Sequence, residues 1–314
     1  MISTLTTVIP IFALILAGWL VRRGGILGPH AMSELNRFVV YLALPALLFD
    51  VVAHTTWETV WRPGFILAFG IGSIGLFAAT VIVRMRHRPL ADAAIDGLNA
   101  GYANTGFMGF PLALVALGPA SLPLTTISAI LTVCVVFAVA ILLIEIGLVS
   151  EAHPLRLARK VGLSLGRNPL LISPLLGAMV PLLGLHVPAS AETFLKLLGG
   201  AASPCALVVI GLFIAEQGEA SAGKNGLLGG PTVGLVVAKL IGQPLLTWAI
   251  ADLLLNLPAF EVRAAVLLAA LPTGTGPFML AEFYKRPASV TSNVILVSTI
   301  VSIATVSAYL AFSS

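Results

Sequence analysis

Long apolar runs separated by short polar or basic stretches give this chain its pattern. In the first half the runs lie at about 4–21, 35–53, 64–83, 93–117 and 122–148. In the second half they lie at about 169–185, 194–215, 231–255, 262–284 and 289–312. Roughly 20 apolar helical residues cross a bilayer core, so the pattern predicts an all-α membrane protein with ten spans. The run at 4–21 has no basic stretch before it and no small-residue cleavage site after it, so it is expected to stay as a helix.

Two of the runs are not ordinary membrane helices. Residues 101–112 read Gly101-Tyr-Ala-Asn104-Thr105-Gly106-Phe-Met-Gly109-Phe-Pro111-Leu, and residues 271–278 read Leu271-Pro272-Thr273-Gly274-Thr275-Gly276-Pro277-Phe278. Proline has no N–H to donate, and its ring clashes with the carbonyl four residues back. Glycine lets another backbone approach closely. Freed backbone groups are tolerated at membrane depth only where protein covers them or water fills a cavity. Both spans are therefore expected to be broken. Broken spans in corresponding places of two halves are the best sequence pointer to a transporter's binding site.

The halves correspond in other ways. The second and seventh runs each carry a mid-span proline, Pro45 and Pro204, and the fifth and tenth share a Ser/Thr/Val/Ile texture. The period is five spans. An odd number of crossings makes the second copy enter from the opposite side, so the repeats are expected to be inverted. The division is 1–149 for the first repeat, 150–168 for a linker and 169–314 for the second repeat. In the linker, Arg156, Arg159, Lys160 and Arg167 alternate with leucines. That pattern fits either a helix on the membrane surface or a solvated connection. Basic residues decide the orientation. With the N-terminus outside, Arg22, Arg23, Arg37, Arg84, Arg86, Arg88, the linker cations, Lys224, Lys285 and Arg286 all fall inside, leaving Arg62, Lys196 and Arg263 outside. The positive-inside rule then puts both termini outside.

Composition agrees. The chain is 58% apolar and 10% charged, with a mean hydropathy of +1.05, whereas a soluble domain is about 25% charged. The net charge of +4 follows from the basic loops and needs no nucleic acid. Two cysteines, Cys134 and Cys205, give no disulfide framework and no metal-ligand spacing. The five histidines fall in or near connections and read as interfacial.

The candidate chemistry follows from the breaks. Two helices interrupted at one depth present half-helix N-termini, which attract anions. Asn104, Thr105, Thr273 and Thr275 add side-chain donors, and the backbone around Gly106, Gly274 and Gly276, with Pro111, Pro272 and Pro277 setting the breaks, completes a cradle for a small anionic substrate. The plainer role for Thr273 and Thr275 is to satisfy freed carbonyls. Lys239 is a basic residue deep in a span, with Gln243 one turn on, and an intramembrane lysine is functional by default. It is expected to neutralise the bound anion or to fill an ion-like support site beside the break, unless it snorkels to the surface. Glu282 is the acid best placed for proton or cation coupling. With no P-loop, use of ATP is not expected, and no intramembrane protease or hydrolase signature is present.

Several stretches resemble the auxin efflux carrier family, in its prokaryotic malonate and malate permease branch. They are Leu35-Asn-Arg-Phe-Val-Val-Tyr-Leu-Ala-Leu-Pro45-Ala-Leu-Leu-Phe49, Asn104-Thr-Gly-Phe-Met-Gly-Phe-Pro111-Leu, Ala202-Ser-Pro204-Cys-Ala-Leu and Met279-Leu-Ala281-Glu282-Phe-Tyr284, with Ser298-Thr299. The resemblance implies a 5+5 inverted fold in which helices 4 and 9 cross at their prolines. It implies a scaffold of helices 1, 2, 6 and 7, a moving part of helices 3–5 and 8–10, and a homodimer in the cytoplasmic membrane. It implies no cofactor and no enzymatic activity. The plant members carry an acid and a base in helix 3, and residues 64–83 here have neither. The function expected is secondary or facilitative transport of small mono- or dicarboxylates by alternating access. The alternative is a sodium-coupled carrier of the bile-acid symporter type, which needs acids near the crossing. A passive channel or a receptor stays open as a third class.

Overall fold

The computed structural model describes residues 2–55, 58, 61–149, 154–221 and 227–313. Side chains are described for all of these except 2–8, 11, 107, 111, 154–158, 217–221 and 313. The elements are α1 (Ile2–Arg23), α2 (Ala31–Ala53), α3 (Pro63–Arg84), α4 (Leu90–Gly101), α5 (Phe110–Leu117), α6 (Pro119–Leu148) and α7 (Pro154–Leu165). They continue with α8 (Pro169–Leu182), α9 (Ala189–Gly200), α10 (Ala202–Ser221), α11 (Gly230–Leu254), α12 (Ala259–Ala269), α13 (Gly276–Phe283) and α14 (Ser289–Ser313). No strand occurs among the described residues. Among the described residues, six stretches are long and apolar enough to cross a membrane: α2, α3, α6, Ala189–Glu216 across the α9–α10 joint, α11 and Ser289–Phe312 of α14. Arg159–Leu165 and α8, bent 67° apart, make a seventh if counted as one span. The linker is thus helical over α7.

The two runs that carry the breaks are each split, into α4 and α5 and into α12 and α13. Prolines shape the neighbours too. Pro45, Pro111 and Pro244 each follow by two residues a widened, π-helical turn: Val39–Ala43, Thr105–Gly109 and Ala238–Gly242. The ring of each proline displaces the carbonyl four residues back. The turn absorbs this by bonding across five residues, as Leu44 N does to Val39 O and Gln243 N to Ala238 O.

Helix α4 sits at the centre, packed by α3 and α6, with every residue from Ala91 to Gly101 buried. Its Ala- and Gly-rich sequence allows neighbours on every side. Helix α1 lies against α10 through Gly18 and Gly211. A Cβ on Gly211 would fall 2.0 Å from Ile15 O, so only glycine allows this approach. Helix α2 is held between α8 and α9, and Ser173 of α8 donates to Pro45 O.

The apolar run at 93–117 conceals a charge. Asp96 is 2% exposed and accepts from Arg84 Nε at 2.7 Å and Arg88 Nη1 at 2.9 Å. Asp92, in the first turn of α4, accepts from Arg286 Nε at 2.6 Å. The network ties the end of α3, the start of α4 and the connection before α14. The Asp92 carboxylate also raises the affinity of the Arg286 guanidinium for its proton.

Candidate functional site at the crossing of two broken segments

The breaks meet. Ala103 and Thr273 pair as antiparallel backbone. Asn104 N donates to Pro272 O at 2.9 Å, and Gly274 N donates to Tyr102 O at 3.1 Å. Backbone groups released from one helix are thus satisfied by those released from the other, which is how irregular chain survives at this depth. Thr273 Oγ1 donates to Asn99 O at 2.7 Å, and Thr273 N donates to Ser298 Oγ at 3.2 Å. The glycines make room for the crossing. A Cβ on Gly276 would lie 2.7 Å from Tyr102 Cζ, and one on Gly274 would lie 2.8 Å from Tyr102 Cε1.

Helices α4 and α12 end at the crossing, while α13 and the turn leading to α5 begin there. The first N–H groups of a helix have no partner within it. A cavity of about 160 Å³ lies at these starts. Asn104, Thr105 and Gly106 border it from the first break, and Thr275 and Gly276 from the second. Thr105 is 1% exposed, and among the described residues its Oγ1 has no hydrogen-bond partner. Five of the sequence-predicted residues therefore share one cavity.

The others stand elsewhere. Pro272, Thr273 and Gly274 form the backbone pairing rather than the wall, and Thr273 takes the carbonyl-satisfying place. Pro277 is buried as the second residue of α13, and Pro111 is the second residue of α5, with its side chain outside the described set. Glu282 lies in the last turn of α13, away from the wall. Lys239 does not snorkel. It is 0% exposed, and Nζ donates to Ala269 O at 2.8 Å, at the end of α12. Gln243, also 0% exposed, donates from Nε2 to Ser73 Oγ at 2.9 Å and to Gly101 O at 3.4 Å, at the end of α4. Neither borders the cavity. The two half-helices that end at the crossing thus have their terminal carbonyls met from α11, where the helix dipole favours a donor or cation.

Sequence reasoning missed the wall opposite the breaks. Val39, Leu44 and Leu47 of α2 and Ser203 of α10 border the cavity. Gly199 and Gly200 at the α9–α10 joint, just before Pro204, were the available signal. It also missed a bridge at Tyr284. Its hydroxyl donates to Glu145 Oε1 at 2.8 Å and accepts from Asn168 Nδ2 at 3.2 Å, while Asn168 Oδ1 caps α8 through Leu170 N.

Apolar helices packed around two crossed, broken segments define a multi-pass membrane protein of transporter type. The comparisons with known proteins agree. The family model described as "Membrane transport protein" matches residues 3–310. A protein of Rhizobium meliloti (strain 1021) named "Putative malonate transporter" is 32% identical over 308 residues, covering 96% of this chain and 93% of that protein. "Auxin efflux carrier component 6" of Arabidopsis thaliana is 31% identical over 150 residues, 46% of this chain and 25% of that protein. An "Uncharacterized transporter" of Methanothermobacter thermautotrophicus is 27% identical over 208 residues, 66% of each chain. The chain belongs to the auxin efflux carrier family of membrane transport proteins.

Proposed function

We propose that this protein carries small organic anions, mono- or dicarboxylates, across the cytoplasmic membrane by alternating access. The observation that carries the reading is the shared cavity at the starts of α13 and of the turn leading to α5. Asn104, Thr105, Gly106, Thr275 and Gly276 border it together. Helix starts favour an anion, and the side-chain donors add direction. At about 160 Å³ the cavity is smaller than the ~300–1,000 Å³ of drug-sized sites, which suits an acid of a few carbons. The relative named for malonate makes malonate the first acid to try. In this reading the chain has ten spans in two inverted five-helix repeats, with both termini outside. Helices α1, α2 and α8–α10 form the scaffold, against which the remaining spans move as a unit. Lys239 supports the crossing from behind instead of touching the substrate.

The test is uptake into proteoliposomes preloaded with a panel of carboxylates, with the pH gradient and Na⁺ varied independently. Saturable, Na⁺-independent exchange of a small acid, weakened in Asn104→Ala, is the expected result. Na⁺-dependent uptake would move the assignment to a sodium-coupled symporter. No carboxylate uptake under any gradient would overturn the carrier reading.

A further inference from the structure

The polar contacts sort the helices into two sets. Helices α1, α2, α8, α9 and α10 form one, tied by Arg22 to Glu216 at 3.1 Å and by Ser173 to Pro45 O. Helices α3–α6 and α11–α14 form the other, tied by the crossing itself, by Asn99 Nδ2 to Thr291 Oγ1 at 2.9 Å and by Arg286 to Asp92. Between described side chains, one hydrogen bond passes from set to set. Asn168 Nδ2, at the start of α8, donates to Tyr284 OH, at the end of α13, at 3.2 Å.

Each side of this bond is braced within its own set. Asn168 Oδ1 accepts from Leu170 N at 3.0 Å and so caps α8. Tyr284 OH donates to Glu145 Oε1 of α6 at 2.8 Å. Just beyond it, Lys285 takes a left-handed conformation (φ 51°) that ends α13, and Arg286 reaches Asp92 of α4. Rings pack beside the bond. Phe283 of α13 lies on Tyr41 of α2 with 5.7 Å between centroids, and Phe278 lies on Phe213 of α10 with 5.1 Å. Ring contacts can slide, whereas a hydrogen bond holds only over a narrow range of distance and angle.

At the other end of α6 the sets stand differently. Ile130, about 20 Å along the helix from Glu145, borders a cavity of about 910 Å³. Its other walls include Val52 and His54 at the end of α2, Pro181 at the end of α8 and Glu192 at the start of α9. The sets are thus bonded at one end of α6 and hold a cavity between them at the other.

We propose that the Asn168–Tyr284 hydrogen bond is a latch. It holds the two sets together at the cytoplasmic end, and it breaks each time the substrate cavity opens toward the cytoplasm. This rests on the carrier reading above, in which one set moves against the other. Tyr284 and Asn168 are positioning residues, since neither borders the substrate cavity. When the latch opens, Tyr284 keeps its bond to Glu145, so no buried hydroxyl is stranded and the step costs about one hydrogen bond.

The experiment reads access to the substrate cavity. Ser203→Cys, in a chain cleared of its two cysteines (Cys134→Ala, Cys205→Ala), places a thiol on the cavity wall. A membrane-impermeant maleimide is applied to right-side-out and to inside-out vesicles, and the ratio of cytoplasmic to outer labelling rates is measured. The expected result is a ratio raised about two- to tenfold by Tyr284→Phe and by Asn168→Ser, as loss of one hydrogen bond produces. Serine keeps a cap on α8 and gives up the amide donor. The double variant is expected to match the singles, since all three lack the same bond. Glu145→Gln, which leaves the Asn168 bond in place, is expected to leave the ratio unchanged. A ratio that neither latch variant moves overturns the latch. So does a ratio moved as far by Glu145→Gln, or a double variant that adds the two effects. Should Tyr284→Phe fail to fold, Asn168→Ser decides from the other side of the bond. A thiol that no variant opens to the cytoplasmic face overturns alternating access and the latch together. Labelling needs no substrate, so absent carboxylate uptake with the shifted ratio intact overturns the carboxylate reading alone.

Discussion

Lys239 Nζ donates to the carbonyl of Ala269 at 2.8 Å, so the amine of one helix meets the open end of another. Ala269 is the last residue of α12, and the final carbonyls of a helix have no partner within it. Gln243, one turn along α11, reaches Gly101 O at the end of α4. One helix thus serves both interrupted partners on the side away from the cavity. The crossing has a donor-rich face toward the cavity and a carbonyl-rich face toward α11.

Lys239→Met removes the donor and leaves the Ala269 carbonyl buried and unmet. The expected loss of stability is about 1–3 kcal/mol, seen as a lower melting temperature in detergent, with transport reduced in proportion to folded protein. Lys239→Met melting as wild type would remove the capping role.

Thr105→Val keeps the shape of the side chain and removes an unpartnered hydroxyl. Because no intramolecular hydrogen bond is lost, the melting temperature is expected to hold. The KM for the transported acid is expected to rise roughly tenfold. Equilibrium binding of labelled malonate to purified protein checks the affinity directly. Unchanged affinity would move the substrate away from this wall.

Gly276→Ala places a Cβ 2.7 Å from Tyr102 Cζ, beneath a ring already packed on Phe137. Overpacking of this kind costs about 1–3 kcal/mol. Tyr102→Leu in the same chain clears the ring and is expected to restore part of the loss. A double variant no more stable than Gly276→Ala alone would show that the ring is not what excludes the methyl.

Asp96→Asn removes the charge that Arg84 and Arg88 share. Breaking a fully buried pair costs about 3–5 kcal/mol. Here the arginine side chains keep 26% and 23% of their exposure, so about 1–3 kcal/mol is expected after discounting for solvent. Thermal melting across a salt series checks it: the wild type should lose stability as salt rises, and the variant should respond less.

Much of this was legible along the chain because it is local. Apolar length marks membrane helices, and proline with glycine marks where a helix fails. The breaks at 101–112 and 271–278 were placed on that ground, and α4/α5 and α12/α13 are split there. Asn104, Thr105, Gly106, Thr275 and Gly276 were found by the same signal, and they share the cavity. An intramembrane lysine stands out by its desolvation cost alone, so Lys239 was singled out without a partner in view.

What it touches was not legible, because a partner thirty residues away in sequence is chosen by packing. The same holds for Thr273, drawn from the expected cradle into the backbone pairing with Ala103 across 170 residues. Asp96 was lost inside an apolar run because its cost is offset by Arg84 and Arg88, which only the turn between α3 and α4 brings near. Where helices form and where they must break follows from residues within one or two turns, so both can be read along the chain. Which freed groups satisfy each other, and which remain for a ligand, depends on the segments that the fold brings into contact.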